Sequence, residues 1–152
     1  MKNPVFKGIG TAIITPMTEK GVDYAAMERL VQRQLDANID ALIVCATTGE
    51  APTLADDEHI ETIRFVANLA KGKTKIVAGT GSNYTDHAYD MSIMARDAGA
   101  DALLCVSPYY NKCTQQGLFE SYTKIASATE LPMIVYNVPG RTGCNLLPKT
   151  VA

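Results

Sequence analysis

Five short apolar runs punctuate the chain: Ile9 to Thr15, Ala41 to Cys45, Lys75 to Ala78, Ala102 to Val106 and Met133 to Tyr136. They are continuous rather than alternating, the pattern of strands buried on both faces of a parallel sheet. They begin at positions 9, 41, 75, 102 and 133, in steps of 32, 34, 27 and 31 residues. Each step has the length of one strand–helix–strand crossover. The segments between them carry helical spacing. From Asp23, the residues Met27, Leu30, Val31, Gln34 and Leu35 share one face. Thr53-Leu54-Ala55-Asp56 resembles a capping box, and Ile60, Ile63, Val66, Ala67 and Ala70 form the stripe behind it. A third helix is expected from Thr85-Asp86 through Met91, Met94 and Ala95 to Gly99. A fourth starts near Gln115 with Leu118, Tyr122, Ile125 and Ala126, and a fifth opens at Leu147-Pro148-Lys149.

One internal echo accompanies this pattern. Asp40-Ala41-Leu42-Ile43-Val44-Cys45 resembles Asp101-Ala102-Leu103-Leu104-Cys105-Val106, 61 residues later. The plain reading is that parallel strands look alike. Five βα units fit two α/β architectures. A doubly wound five-stranded sheet is complete at about this length. A (β/α)8 barrel needs roughly 250 residues, so this chain would hold its first five units. The chain stops inside its fifth helix, which favours the partial barrel, while length favours the open sheet.

Composition narrows the class without choosing between them. Of 152 residues, 47% are hydrophobic and 20% charged, with a formal charge of −2. That supports one packed domain spanning 1–152 and excludes the disorder signature. It also argues against nucleic-acid or membrane partners. No apolar run approaches the roughly 20 residues of a membrane helix, and the start lacks a signal-peptide core. Of the four cysteines, Cys45 and Cys105 sit in apolar runs and read as small buried hydrophobes, and Cys113 and Cys144 stand alone. A reducing cytoplasm is the expected location. No metal site and no cofactor are expected: there is no HxH or CxxC pair, no Walker loop, and Gly79-Thr80-Gly81 lacks the third glycine of a dinucleotide fingerprint. His59 and His87 fall on helical stretches beside carboxylates and read as solvated helix-surface histidines.

The informative polar residues cluster at the carboxyl ends of the apolar runs: Thr15-Pro16, Thr47-Thr48-Gly49-Glu50, Gly79-Thr80-Gly81, Ser107 to Asn111, and Tyr136-Asn137 followed by Arg141. That edge is where parallel α/β folds bind ligands. Thr47 and Thr48, with the N–H groups of a Gly-containing turn, suit a small carboxylate or phosphate, although such a turn is also an ordinary helix lead-in. Tyrosine hydroxyls at 109, 110 and 136 can pass protons when aligned. Tyr136 reads equally as a strand aromatic, and Tyr109 and Tyr110 as interface anchors. Arg141, presented from a Pro-Gly turn, suits bidentate capture of a carboxylate, or is a solvated surface arginine.

Together these stretches resemble the dihydrodipicolinate synthase family of pyruvate-dependent class I aldolases. The matching segments are Gly10 to Pro16, Thr47 to Glu50, Ala78 to Asn83, Pro108 to Asn111 and Tyr136 to Cys144, in the family's order across the whole chain. The resemblance implies a (β/α)8 TIM barrel, of which 1–152 is the N-terminal part. It implies condensation of pyruvate with L-aspartate 4-semialdehyde in diaminopimelate and lysine biosynthesis. Thr47, Tyr110 and Tyr136 would form the hydroxyl proton relay, with Tyr110 reaching a neighbouring subunit's site in a homodimer or homotetramer. Thr47 and Thr48 would hold the pyruvate carboxylate and Arg141 that of the semialdehyde.

The family's Schiff-base lysine would lie on the sixth strand, beyond Ala152, so the chain alone is expected to be inactive. His59, Asn83 and Tyr109 match positions of the family's lysine-feedback cleft. His87 stands where regulated members tend to carry a glutamate, and Ala51-Pro52 replaces a Ser-Ala pair, so weak or absent inhibition by lysine is expected. Two alternatives stay open. One is another pyruvate-dependent aldolase, of the 2-keto-3-deoxy sugar acid or N-acetylneuraminate lyase type. The other is an anion-binding α/β module without catalysis.

Overall fold

The order in which the strands pair decides between the two architectures. The structure, a computed structural model, describes residues 4–152. The chain begins with β1 (Gly10–Ala12), a small antiparallel hairpin of β2 (Met17–Thr18) and β3 (Gly21–Val22), and α1 (Tyr24–Asp36). Then follow β4 (Ala41–Val44), α2 (Asp56–Ala70), β5 (Lys75–Gly79), α3 (Thr85–Asp97), β6 (Ala102–Val106), α4 (Gln115–Ala126) and β7 (Met133–Tyr136). Two short helices, α5 (Pro139–Thr142) and α6 (Pro148–Val151), complete it.

Five strands form one parallel sheet in the order β1-β4-β5-β6-β7. Each crossover therefore steps one strand in the same direction. A doubly wound sheet would reverse at a switch point, whereas unidirectional stepping is how the strands of a (β/α)8 barrel follow one another. The fold is α/β, with about five βα units of a TIM barrel.

Alternation across the sheet divides the core in two. Leu42, Val44, Ile76, Ala78, Leu103 and Cys105 point to the helices and join Met27, Val31, Ile63, Val66, Leu118 and Ile125 in the main cluster. On the opposite face Ala41, Val77 and Ala102 are fully buried, with Ile43, Leu104 and Ile134 partly buried around them. Val5 and Phe6 pack against this inner face. Both faces of the central strands are thus covered, which is why their sequences run continuously apolar.

The repeated aspartate at the foot of two strands has a physical cause. The Asp40 carboxylate accepts the Ile9 N–H at 2.8 Å, and the Asp101 carboxylate accepts the Ile76 N–H at 2.9 Å. Each aspartate ties the bottom of its strand to the strand before it, so the echo marks equivalent stations in the repeat.

Element boundaries follow local chemistry. Cys45 takes a left-handed φ of 51°, which ends β4 one residue before the apolar run does. Asp23 caps α1 by accepting the Ala26 N–H at 2.9 Å, and Thr114 caps α4 by accepting the Gly117 N–H at 3.1 Å. The expected capping box at Thr53 does not form. Thr53 lies in a 3-10 turn (Ala51–Thr53), its hydroxyl donating to the Glu50 carbonyl at 2.8 Å, and Ala55 occupies the cap of α2. Met94, expected in the stripe of α3, is exposed.

Candidate active site

Every strand of the sheet delivers polar residues to the same edge. The loops there enclose a cleft of about 640 Å³ whose wall includes Thr47, Tyr109, Tyr110, Tyr136 and Arg141. Residues separated by up to 94 positions in the chain are brought together in this way. Thr47 comes from the turn after β4, the two tyrosines from the loop after β6, Tyr136 from the end of β7, and Arg141 from α5. Thr48 is exposed on the same turn as Thr47 but outside the cleft wall. Asn83 is also outside it, its carbonyl accepting the Asn111 amide at 3.2 Å.

Two glycines let the backbones converge beneath the cleft. A Cβ on Gly79 would lie 2.2 Å from the Cys45 carbonyl oxygen, and one on Gly81 would lie 2.4 Å from the Val106 nitrogen. At both positions any side chain would displace a neighbouring main chain. Gly79-Thr80-Gly81 is therefore a close-packing device between strands, not a phosphate loop.

Buried hydroxyls brace the floor. Thr80, 2% exposed, has its oxygen 3.1 Å from that of Ser92, which in turn donates to the Ala88 carbonyl at 2.6 Å. The Ser107 and Tyr122 hydroxyls meet at 3.0 Å under the loop that carries Tyr109 and Tyr110. Burial pushes the Tyr122 phenol up to about 12, with Ser107 opposing, so it acts as a hydrogen-bonding strut. Neither Ser92 nor Tyr122 stood out in the sequence as a site residue, because each occupies an ordinary position in a helical stripe.

One of the two histidines departs from the reading of both as solvated. His59 is 7% exposed, with Nε2 2.8 Å from the Gly79 carbonyl oxygen, so it ties α2 to the end of β5. Burial holds its pKa below the usual value, partly offset by that hydrogen bond and by Asp56. A neutral ring donating to Gly79 satisfies the geometry. The cause of the misreading is register: position 59 is one residue before Ile60 at the inner margin of the α2 stripe. His87 is part-exposed, and its Nε2 lies 2.9 Å from an Asp56 carboxylate oxygen across the cleft rim. Asp56 is the single carboxylate on that wall among the described residues.

Cys45 and Cys105 are buried, as their runs implied. Burial raises the thiols to about 12 and about 11, opposed by the neighbouring Thr15 and Thr80 hydroxyls respectively. Neither is a nucleophile near neutral pH. No cluster of three or more metal-ligating side chains occurs among the described residues. No helix among them is long and apolar enough to cross a membrane.

Tyr110 is 89% exposed and holds a left-handed φ of 71°. Lys112, two residues on, has φ 45° and lays its stem on Gly143, so the β6 and β7 loops touch. Strain of this kind in a loop at a cleft is typical of functional segments.

Such an edge of a unidirectional parallel sheet, with hydroxyls, phenols and a guanidinium facing one cleft, defines part of a barrel-enzyme scaffold. Residues 5–152 match the dihydrodipicolinate synthetase family, and the chain belongs to it. It is 49% identical over 151 residues to a 4-hydroxy-tetrahydrodipicolinate synthase of Acetivibrio thermocellus, covering 99% of this chain and 52% of the relative. It is 52% identical over 149 residues to one of Caldicellulosiruptor saccharolyticus, covering 97% and 50%. Among solved structures, the dihydrodipicolinate synthase of Aquifex aeolicus superposes with a TM-score of 0.93 at 43% identity, over 96% of this chain and 50% of that one. That of Thermotoga maritima gives 0.93 at 44%, over 97% and 50%. The chain thus spans about half the length of the curated relatives it matches.

Proposed function

We propose that this chain is the N-terminal portion of a 4-hydroxy-tetrahydrodipicolinate synthase, which condenses pyruvate with L-aspartate 4-semialdehyde. The observation that carries the reading is the convergence of Thr47, Tyr110, Tyr136 and Arg141 on one cleft, in a member of this family. Two carboxylates must be held and protons moved between them, and the cleft wall offers groups for each task. Thr47, on the turn it shares with Thr48, holds the carboxylate of pyruvate through hydroxyl and backbone N–H groups. Arg141 holds the carboxylate of the semialdehyde. The phenols of Tyr110 and Tyr136 with the Thr47 hydroxyl pass the protons released and consumed as the carbon–carbon bond forms. Arg141 also favours this substrate pair over a sugar-acid aldolase, whose polyhydroxylated substrate does not need a cation there.

The covalent step needs an amine. It condenses with the pyruvate ketone, releasing water, and the resulting iminium acidifies the methyl carbon so that it becomes a nucleophile. No lysine lines the cleft among the described residues. Lys75 begins β5 at the opposite edge, Lys112 lies against Gly143, and Lys149 is in α6. In the family this chain resembles, the amine is a lysine on the sixth strand, beyond Ala152, and on that reading the 152-residue chain alone is inactive. Tyr110, exposed and in a left-handed backbone conformation, serves a second copy of the chain in a homodimer or homotetramer of a cytoplasmic enzyme. On the same reading His59 and Tyr109, which line the cleft, belong to a feedback site together with Asn83. There the Asp56 carboxylate is already paired with His87, so lysine competes poorly for it.

Borohydride trapping with pyruvate, read by intact mass, tests the reading. The chain alone is compared with a completed barrel, in which the C-terminal half of the Acetivibrio thermocellus relative follows Ala152. A pyruvate adduct on the completed barrel only is expected. No adduct on either protein would sink the pyruvate assignment and leave an anion-binding module.

A further inference from the structure

The first strand ends in a buried hydroxyl that the chemistry above does not use. Thr15 is 5% exposed, does not line the cleft, and donates to the Gly49 carbonyl at 2.7 Å. That carbonyl belongs to the Gly49–Glu50 peptide, whose N–H donates to the Thr47 carbonyl at 3.2 Å. One peptide plane is thus gripped at both ends, by Thr15 on one side and by Thr47 on the other.

Thr15 is itself fixed. Two residues before it the Ile13 N–H donates to the Ile43 carbonyl at 3.1 Å, and immediately after it the Pro16 carbonyl accepts the Asp23 N–H at 2.8 Å. The turn it holds is flanked by two left-handed residues, Cys45 at φ 51° and Glu50 at φ 55°. A turn with such flanks and a glycine inside has alternative peptide orientations close in energy. The Thr15 hydroxyl selects one of them.

We propose that Thr15 is a positioning residue for pyruvate: it sets the Gly49–Glu50 peptide and, through it, the placement of Thr47. The inference rests on the aldolase reading. Without the hydroxyl, the peptide rotates, Thr47 loses its partner, and the pyruvate carboxylate loses an aligned clamp. The semialdehyde, held by Arg141 from a different loop, keeps its site.

The test uses the completed barrel carrying Thr15→Val, Thr15→Ala or Thr15→Ser. The expected result is a rise of about tenfold in the pyruvate KM for Val and Ala, a lower kcat because the Thr47 hydroxyl also leaves the proton relay, a semialdehyde KM within about twofold, and recovery in Ser. A residue that merely supports folding would lower Tm without splitting the two KM values. If Val does not fold, Ala, which leaves space for water at the Gly49 carbonyl, carries the comparison. Equal changes in both KM values, or a flat pyruvate KM across the series, overturns the inference alone. An unsubstituted protein that turns over no pyruvate overturns the aldolase reading, and the inference with it.

Discussion

Replacing Gly79 with Ala asks whether the cleft depends on backbone contact between β4 and β5. The added methyl would sit 2.2 Å from the Cys45 carbonyl oxygen, 2.7 Å from its carbon and 2.8 Å from the Ala46 Cα. Ordinary contact begins at 3.4 Å, so the Cys45 peptide would have to retreat by more than 1 Å. No side chain can rotate away, because all three atoms are main chain or Cα. Cys45 cannot yield freely either: its φ of 51° is already left-handed, and the peptides beyond it are pinned by Thr15 and Thr47. The cost should reach the upper end of the overpacking range, about 3 kcal/mol. For a barrel of full length that corresponds to a fall in Tm of about 6–12 °C. Gly140→Ala is the internal control, since a methyl there meets nothing within 4 Å, and it should stay within about 0.5 kcal/mol. Differential scanning calorimetry of both variants in the completed barrel reads the difference. Equal Tm values for Gly79→Ala and the unsubstituted protein, or equal losses at the two glycines, would refute the close-approach argument.

Further expectations concern the buried histidine and the thiols. Burial holds His59 below its ordinary 6.5, so as pH falls the unfolded chain takes up a proton before the folded one does. Its contribution is therefore present above pH 6.5 and is lost as the pH drops below that value towards the folded pKa. Urea midpoints of the completed barrel between pH 7.5 and 5 should decline, and those of His59→Asn should decline less. The variant should also lose about 1–3 kcal/mol at neutral pH from the orphaned Gly79 carbonyl; identical slopes would discard the assignment. Aromatic disulfide titration of the native chain should modify half-buried Cys113 and Cys144 while sparing Cys45 and Cys105, whose thiols stand at about 12 and about 11. Rapid reaction of all four without denaturant would contradict their burial.

How far the sequence could be read depended on range. The apolar runs and their spacing located each strand of the parallel sheet to within a few residues, because burial on both faces leaves a continuous signal, whereas the two-residue strands of the β2–β3 hairpin left none. Periodicity could not say whether consecutive strands step in one direction or two, since strand order depends on contacts that no local pattern encodes. The family resemblance supplied that, and pairing order decides it structurally. Thr47, Tyr110, Tyr136 and Arg141 were legible as polar residues at strand ends. Their braces were not. Ser92 and Tyr122 look like helix-stripe residues, and His59 looks like a surface one, until neighbouring elements are in place. Thr15 was visible at its strand end, but its role depends on a carbonyl 34 residues away.

The sheet's own edges lead to the last prediction. β1 and β7 each pair with a strand on one side only, and β7 is half-buried throughout, unlike the three strands between them. Ile43, Leu104 and Ile134 on the inner face are likewise only partly covered. A barrel of eight strands removes both edges and fills that face, so three further strands offer this chain two ladders of backbone hydrogen bonds and an apolar layer at once. Such a surface is specific: the partner must present parallel strands to β7 and to β1 at the barrel's shear. We therefore expect the C-terminal half of the Acetivibrio thermocellus relative, expressed separately, to associate with the 152-residue chain and to acquire a borohydride-trappable pyruvate site. The adduct should sit on the added half, because no lysine among the described residues lines the cleft wall contributed here. Size-exclusion chromatography with intact-mass detection reads both association and adduct. Association without trapping would mean that the Thr47 turn or the tyrosine loop needs covalent continuity to reach its geometry. No association would show that the exposed edges alone do not specify their partner, and that the barrel closes only as one chain.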